Sequence, residues 1–158
     1  MINKVTSQIK NLFPARDIVE AHCDGPCGVY DPASARIAAE AALSMTKKIL
    51  ALQPPADGEV QAMAAYANTI SRYIQIKEEQ THLAKTELLV LWTDYFKPVH
   101  LEQYPDLHTT FWNAAKLCSA VKVGVDLDAA NKLLETINAI HDIFWATKNR
   151  DVAWYTAA

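Results

Sequence analysis

The sequence holds few cysteines, no long apolar run and no concentration of charge of one sign. With three cysteines in 158 residues, the chain cannot pair all its thiols internally, and the content is too low for a disulfide scaffold. No stretch approaches the roughly 20 apolar residues needed to span a bilayer, so no membrane partner is expected. Basic residues number 15 and acidic ones 18, for a net charge of −3. Without an extended basic run, the electrostatic footprint of a nucleic-acid binder is missing. Strand-like alternation is nearly absent, and there is no internal repeat, Gly-rich phosphate loop, nucleophile elbow or zinc-protease motif. What is present is 51% apolar and 21% charged residues, the balance of a folded protein with one core.

The body of the chain reads as helix. Asp31-Pro32 supplies a capping carboxylate followed by proline at the first helical position. The run ASARIAAEAALSMTKKILAL continues in good helix formers, with Lys47 and Lys48 late in it, and QPPADG (Gln53 to Gly58) breaks it. A long helix is expected from about Glu59 to Phe96. Ala62, Tyr66, Ile70, Tyr73 and Lys77 step along one stripe, and Leu88, Leu91 and Tyr95 resume one beside Val90 and Trp92. Roughly 38 residues is long for a globular helix, so a bend or break is expected within it. Lys97-Pro98 stops it and VHLEQYP forms the connection. Two more helices are expected over Asp106 to Val121 and Asp128 to Lys148, the last with Leu133, Ile137, Ile140 and Phe144 on one face. Four helices joined by short turns predict an all-α fold, an antiparallel up-and-down four-helix bundle. Part of its alanine surface would mate helices closely.

The two ends differ from the body. The opening MINKVTSQIKNLFPARDIVEA has Ile2, Val5, Ile9 and Leu12 at helical steps, but Lys10, Asn11, Pro14, Arg16 and Asp17 interrupt any secretory core. A cytoplasmic location is therefore expected. Val19-Glu20-Ala21 ends in the small-residue style of a processing site. The tail NRDVAWYTAA leaves the helical pattern, and Trp154 and Tyr155 are expected to pack on the body or on a neighbouring subunit.

The informative stretch is His22-Cys23-Asp24-Gly25-Pro26-Cys27-Gly28-Val29-Tyr30. Two glycines and a proline in nine residues make a tight hook plausible, with both thiolates able to converge on one ion. Two cysteines simply present in a loop, or a redox dithiol, are open alternatives. The latter spacing is one residue longer than Cys-x-x-Cys, and no βαβ pattern surrounds it. A metal site is the strongest reading because His22 directly precedes the first thiolate. Zinc normally takes four side chains and only three are here. Two thiolates with two nitrogens in a plane suit nickel(II) or copper(II) better.

This segment resembles the nickel hook of nickel-containing superoxide dismutase, whose pattern is His-Cys-x-x-Pro-Cys-x-x-Tyr. The similarity continues through Asp31-Pro32-Ala33 and returns at Leu91-Trp92-Thr93-Asp94-Tyr95-Phe96-Lys97-Pro98 and at Ile143-Phe144-Trp145-Ala146-Thr147-Lys148. The resemblance implies that residues 1–21 are a leader removed in maturation, leaving a hook and a single four-helix-bundle domain over residues 22–158. It implies one nickel ion per subunit. The ligands fall on His22 through its α-amine and imidazole, on Cys23 through backbone nitrogen and thiolate, and on Cys27 through thiolate. Cleavage would matter because the nitrogen of His22 in the precursor is an amide bonded to Ala21, with no basic lone pair. The implied reaction is disproportionation of superoxide to dioxygen and hydrogen peroxide through a Ni(II)/Ni(III) cycle. The family further implies a maturation protease, a homohexamer and a cis peptide before Pro26. Tyr30 is the leading candidate to gate the anion or hold water, with Asp24 ordering the hook and Tyr95 resembling a further family tyrosine near the site.

Two positions depart from the family pattern. In the best-known form of the family a glutamate and an arginine orient the axial imidazole, and Ala38 and Gln80 stand there instead. Gln80 is expected to supply a hydrogen bond, or Glu78, Glu79 or Glu40 to substitute. Other polar residues carry less. Glu79 and His82 have the Glu-x-x-His spacing of a di-iron bundle, but only once. His100 and His108 flank a turn without an assigned role, and His141 lacks a partner glutamate. Cys118, among Leu117, Ala120 and Val121, is expected to be a buried core thiol. Trp92, Trp112 and Trp145 are expected to pack in a core or interface. The alternative function is a helical metal-binding or thiol-redox protein without dismutase activity, which would never expose the His22 amine.

Overall fold

The structure is a computed structural model that describes residues 28–157. Helix α1 spans Ala33–Ala51 and α2 spans Val60–Val90, followed by a π-helical turn over Leu91–Tyr95. A short α3 covers Pro98–Gln103, and α4 (Leu107–Val123) and α5 (Leu127–Thr147) complete the body. There is no strand among the described residues. Packing runs α1 on α2, α2 on α4, α4 on α5 and α5 back on α1. The four long helices thus close the expected up-and-down ring.

Local chemistry sets the helix ends. The Asp31 carboxylate accepts the Ala33 N–H at 2.8 Å, and Pro32 follows in helical conformation, as the sequence predicts for a capping acid before proline. Asp126 is itself the N-cap of α5, its Oδ1 accepting the Ala129 N–H three residues on at 2.9 Å. Gly58 closes the QPPADG turn at φ +87°, a conformation that costs a residue with a Cβ.

The last helix carries the core stripe that its spacing predicts: Leu133, Ile137, Ile140 and Phe144 are all fully buried. On α1 the buried positions are small, namely Ala35, Ala38, Ala39 and Ala42. With only methyl groups between backbones, neighbouring helices can approach α1 closely. The expected stripe on α2 is weaker in its first half. Ala62, Tyr66, Ile70 and Tyr73 are only half-buried, whereas Lys77 is buried.

The expected interruption of the long helix is the π turn. Its signature is the Phe96 N–H reaching Leu91 O at 3.2 Å, five residues back. The wider turn advances the side chains out of α-helical phase, and Leu91 and Phe96 are both buried while Tyr95 is half-buried between them. One expectation needs correcting and another is narrowed. The 98–103 stretch is a helical turn rather than an irregular connection, because Pro98 opens it and His100 Nδ1 accepts the Lys97 N–H at 3.1 Å. Trp112, expected in a core or an interface, is outside the core of this chain: it is 56% exposed, with the Lys116 ammonium 5.5 Å from its ring.

Candidate metal centre

The nickel ligands predicted from sequence, His22, Cys23 and Cys27, lie outside the described residues. So do Asp24 and Pro26. Description begins one residue past Cys27, with Gly28 at φ +66°. This left-handed geometry favours glycine. Tyr30 follows, half-buried, and its ring lies 5.6 Å from that of Tyr95. The two tyrosines singled out from sequence, 65 positions apart, are therefore brought together.

Tyr95 sits in an aromatic cluster at the end of the bundle. Its ring is 4.5 Å from Phe144, 5.0 Å from Phe96 and 5.7 Å from His100. Its position follows from the π turn, which ends on it, and from Phe144 in the last turn of α5. Its hydroxyl is 2.6 Å from Thr147 Oγ1. The Lys148 ammonium lies 5.2 Å from the Tyr95 ring and 5.1 Å from the Phe144 ring, within the range of cation–π attraction. Thr147 and Lys148 were legible only as part of a matching hexapeptide, since neither type advertises a site by itself.

Among the described residues, no group of three or more His, Cys, Asp or Glu side chains is placed to hold a metal ion. Cys118 is a free, buried thiol, and burial pushes its pKa up to about 12 despite the attraction of Lys85. It therefore stays protonated, and a protonated thiol is a poor ligand. The histidines outside the hook are also accounted for. His108 Nδ1 accepts the Trp92 indole N–H at 2.8 Å, and His141 Nε2 is 2.8 Å from Val152 O. His82 is exposed. The donor set at positions 22, 23 and 27, one histidine and two thiols, has the nitrogen and sulfur character that suits nickel.

The sequence profile of nickel-containing superoxide dismutase matches residues 17–148. The chain belongs to the nickel-containing superoxide dismutase family. It is 44% identical over 140 residues to superoxide dismutase [Ni] of Streptomyces seoulensis, covering 89% of this chain and 98% of that one. The same comparison with superoxide dismutase [Ni] of Streptomyces coelicolor gives 41% identity with equal coverage. Among solved structures, a nickel-containing superoxide dismutase with the nickel ligation of the oxidised state superimposes with a TM-score of 0.69 at 44% identity, covering 82% of this chain and all of that one. A native nickel superoxide dismutase gives a TM-score of 0.68 at 40% identity, with the same coverage. Membership of this superoxide dismutase family disfavours the thiol-redox alternative.

The departures from the family pattern now have a setting. Ala38 is buried in the alanine face of α1, and Gln80 is half-buried on α2. Glu40 does not stand in for the missing glutamate. Its Oε1 is 2.6 Å from Arg36 Nη1 and its Oε2 accepts the Ala157 N–H at 2.7 Å. Glu79 accepts from Gln75 at 2.8 Å on an exposed face, and Glu78 is exposed. Of the three candidates on α2, Gln80 is thus the one partly withdrawn from solvent.

Proposed function

We propose that residues 1–21 are a leader removed in maturation and that His22 becomes the N-terminus of the working enzyme. Nickel is then held by the His22 α-amine and imidazole, the Cys23 backbone nitrogen and thiolate, and the Cys27 thiolate. The observation that carries this reading is the run HCDGPCGVY in a chain of this family. The activity is nickel-dependent disproportionation of superoxide: two superoxide ions and two protons yield one dioxygen and one hydrogen peroxide. Nickel, when bound, supplies the Ni(II)/Ni(III) couple that carries the electron between the two superoxide ions.

The chain's own residues handle the anion and the protons. Lys148 places a positive charge beside Tyr95, which favours approach of an anion to this end of the bundle. Tyr30, three residues after Cys27, gates the anion or holds water, and Asp24 orders the hook. Gln80 contributes to holding the His22 ring where the family uses a charged pair. The mature protein is a homohexamer in the cytoplasm, produced with the help of a maturation protease. Exposed apolar side chains such as Met63 and Ile74, about three turns apart on α2, support assembly. No described helix is long and apolar enough to cross a membrane.

N-terminal sequencing and intact mass of protein expressed with nickel test the proposal. Active protein is expected to begin at His22, to hold about one nickel per chain and to show a nickel(III) signal in electron paramagnetic resonance. Fully active protein that still begins at Met1 would refute the ligand set. Cys23→Ser and Cys27→Ser are each expected to abolish both nickel binding and activity.

A further inference from the structure

We propose that Thr147 is a positioning residue for the dismutase reaction: it takes the hydroxyl proton of Tyr95, so that Tyr95 meets the hook side as a hydrogen-bond acceptor. The inference rests on the reading that Tyr95 borders the nickel site. The direction of the proton follows from the end of α5. The Lys148 N–H turns to Trp145 O at 3.1 Å, one residue short of its α-helical partner, Phe144. The Phe144 carbonyl is instead met by the Thr147 hydroxyl at 2.7 Å.

A carbonyl can only accept, and a threonine hydroxyl has one proton to give. The Thr147 proton is therefore committed to Phe144, and the 2.6 Å contact between Tyr95 Oη and Thr147 Oγ1 must be donated by Tyr95. The chain of bonds runs from the Tyr95 O–H to Thr147 Oγ1, and from the Thr147 O–H to Phe144 O. Each bond polarises the next. Both ends are held, since Phe144 is fully buried and Tyr95 is clamped between Phe144, Phe96 and His100.

This arrangement assigns different work to the two tyrosines. With its proton engaged in the bundle, Tyr95 cannot donate to superoxide. Its remaining lone pair accepts from a water or a hydroxyl, orienting a donor for the substrate without binding the anion itself. Tyr30, whose ring lies 5.6 Å away, stands three residues after Cys27 in the chain. Thr147 touches neither hook nor substrate in this scheme and acts through Tyr95 alone.

The test compares Thr147→Val, Thr147→Ser and Tyr95→Phe in processed, nickel-loaded protein. Superoxide turnover is read beside the tyrosine Fermi doublet in Raman difference spectra against Tyr95→Phe. These isolate the Tyr95 phenol from the other five tyrosines, report whether it donates or accepts and do not depend on nickel. Thr147→Val is expected to shift the doublet away from the donor pattern and to lower turnover about five- to tenfold, the scale of one hydrogen bond. Thr147→Ser, which keeps the hydroxyl, is expected to restore both. An unchanged doublet in Thr147→Val would overturn the assigned proton direction. A shifted doublet with undiminished turnover, while Tyr95→Phe is impaired, would overturn the positioning role. Full turnover in Tyr95→Phe would instead remove Tyr95 from the site, and the inference with it.

Discussion

At the scale of single residues, burial sets the chemistry of Cys118. Cys118 is 1% exposed, in a setting where a thiolate would lose its hydration, so its pKa rises to about 12. In the unfolded chain the same thiol titrates in the ordinary range, near 8.5. Above about pH 9 the unfolded state therefore binds fewer protons than the folded one, and stability falls as pH climbs toward 12. The slope this thiol adds is about 1.4 kcal/mol per pH unit. Cys118→Ala is expected to keep nickel content and turnover and to lose stability less steeply between pH 9 and 11. Denaturant midpoints at several pH values for wild type and variant check this, because Cys23 and Cys27 contribute to both. Parallel slopes would show that the Cys118 thiol is not the group responsible. The different fate of Cys118 is readable in sequence from its apolar neighbours on a helical face. The second partner of Glu40 is not: Arg36 is its i,i+4 neighbour on α1, but Ala157 meets it only after the tail has folded back.

At the scale of elements, α2 and α4 are joined by a charged group where hydrophobic contact would be expected. Lys77 lies on the predicted core stripe of α2 and is 2% exposed. Its ammonium donates to Val121 O, Lys122 O and Gly124 O at 2.5, 2.8 and 2.7 Å. These carbonyls end α4, where backbone acceptors lack helical partners and the helix dipole is negative. Burial pulls the Lys77 pKa below the usual lysine range, against the opposing pull of Glu78. The three carbonyl acceptors also favour the charged form. Lys77→Met keeps the stem and removes the donor, leaving the carbonyls unpaired. A loss of about 2–4 kcal/mol is expected in urea unfolding, with α-helical circular dichroism retained. A loss below about 0.5 kcal/mol would mean that water replaces the ammonium without cost. Periodicity placed Lys77 on the correct stripe, yet a period says nothing about what a lysine reaches. The π turn was legible only as excess helix length, since its location depends on packing Leu91, Tyr95 and Phe96 at once.

At the scale of the whole molecule, the C-terminal tail folds back onto α1. Asn149, at φ 54°, takes the left-handed position after α5, and the Asn149 and Arg150 N–H groups bond to Ala146 O and Trp145 O at 2.9 and 3.0 Å. This is the closing pattern of a Schellman motif, and it sends the tail back along the bundle. Val152 O then meets His141, Trp154 packs 5.3 Å from the His141 ring, and the Tyr155 ring lies 4.3 Å from the Arg36 guanidinium. The family match ends at residue 148, so this strap is built from sequence beyond it. Arg36 is thereby only 4% exposed, in the first turn of α1. A chain shortened after Asn149 would return the Arg36–Glu40 pair to solvent, where an i,i+4 pair is worth only about 0.3–0.5 kcal/mol. It would also lose the apolar contacts of Val152 and Trp154 and a partner for His141, together about 3 kcal/mol. Thermal unfolding is expected to drop by roughly 10 °C, while turnover per bound nickel at 25 °C stays near that of the full chain. A truncated protein with unchanged melting but lower turnover would reverse this division, making the strap part of the site rather than a support for the helix that carries it.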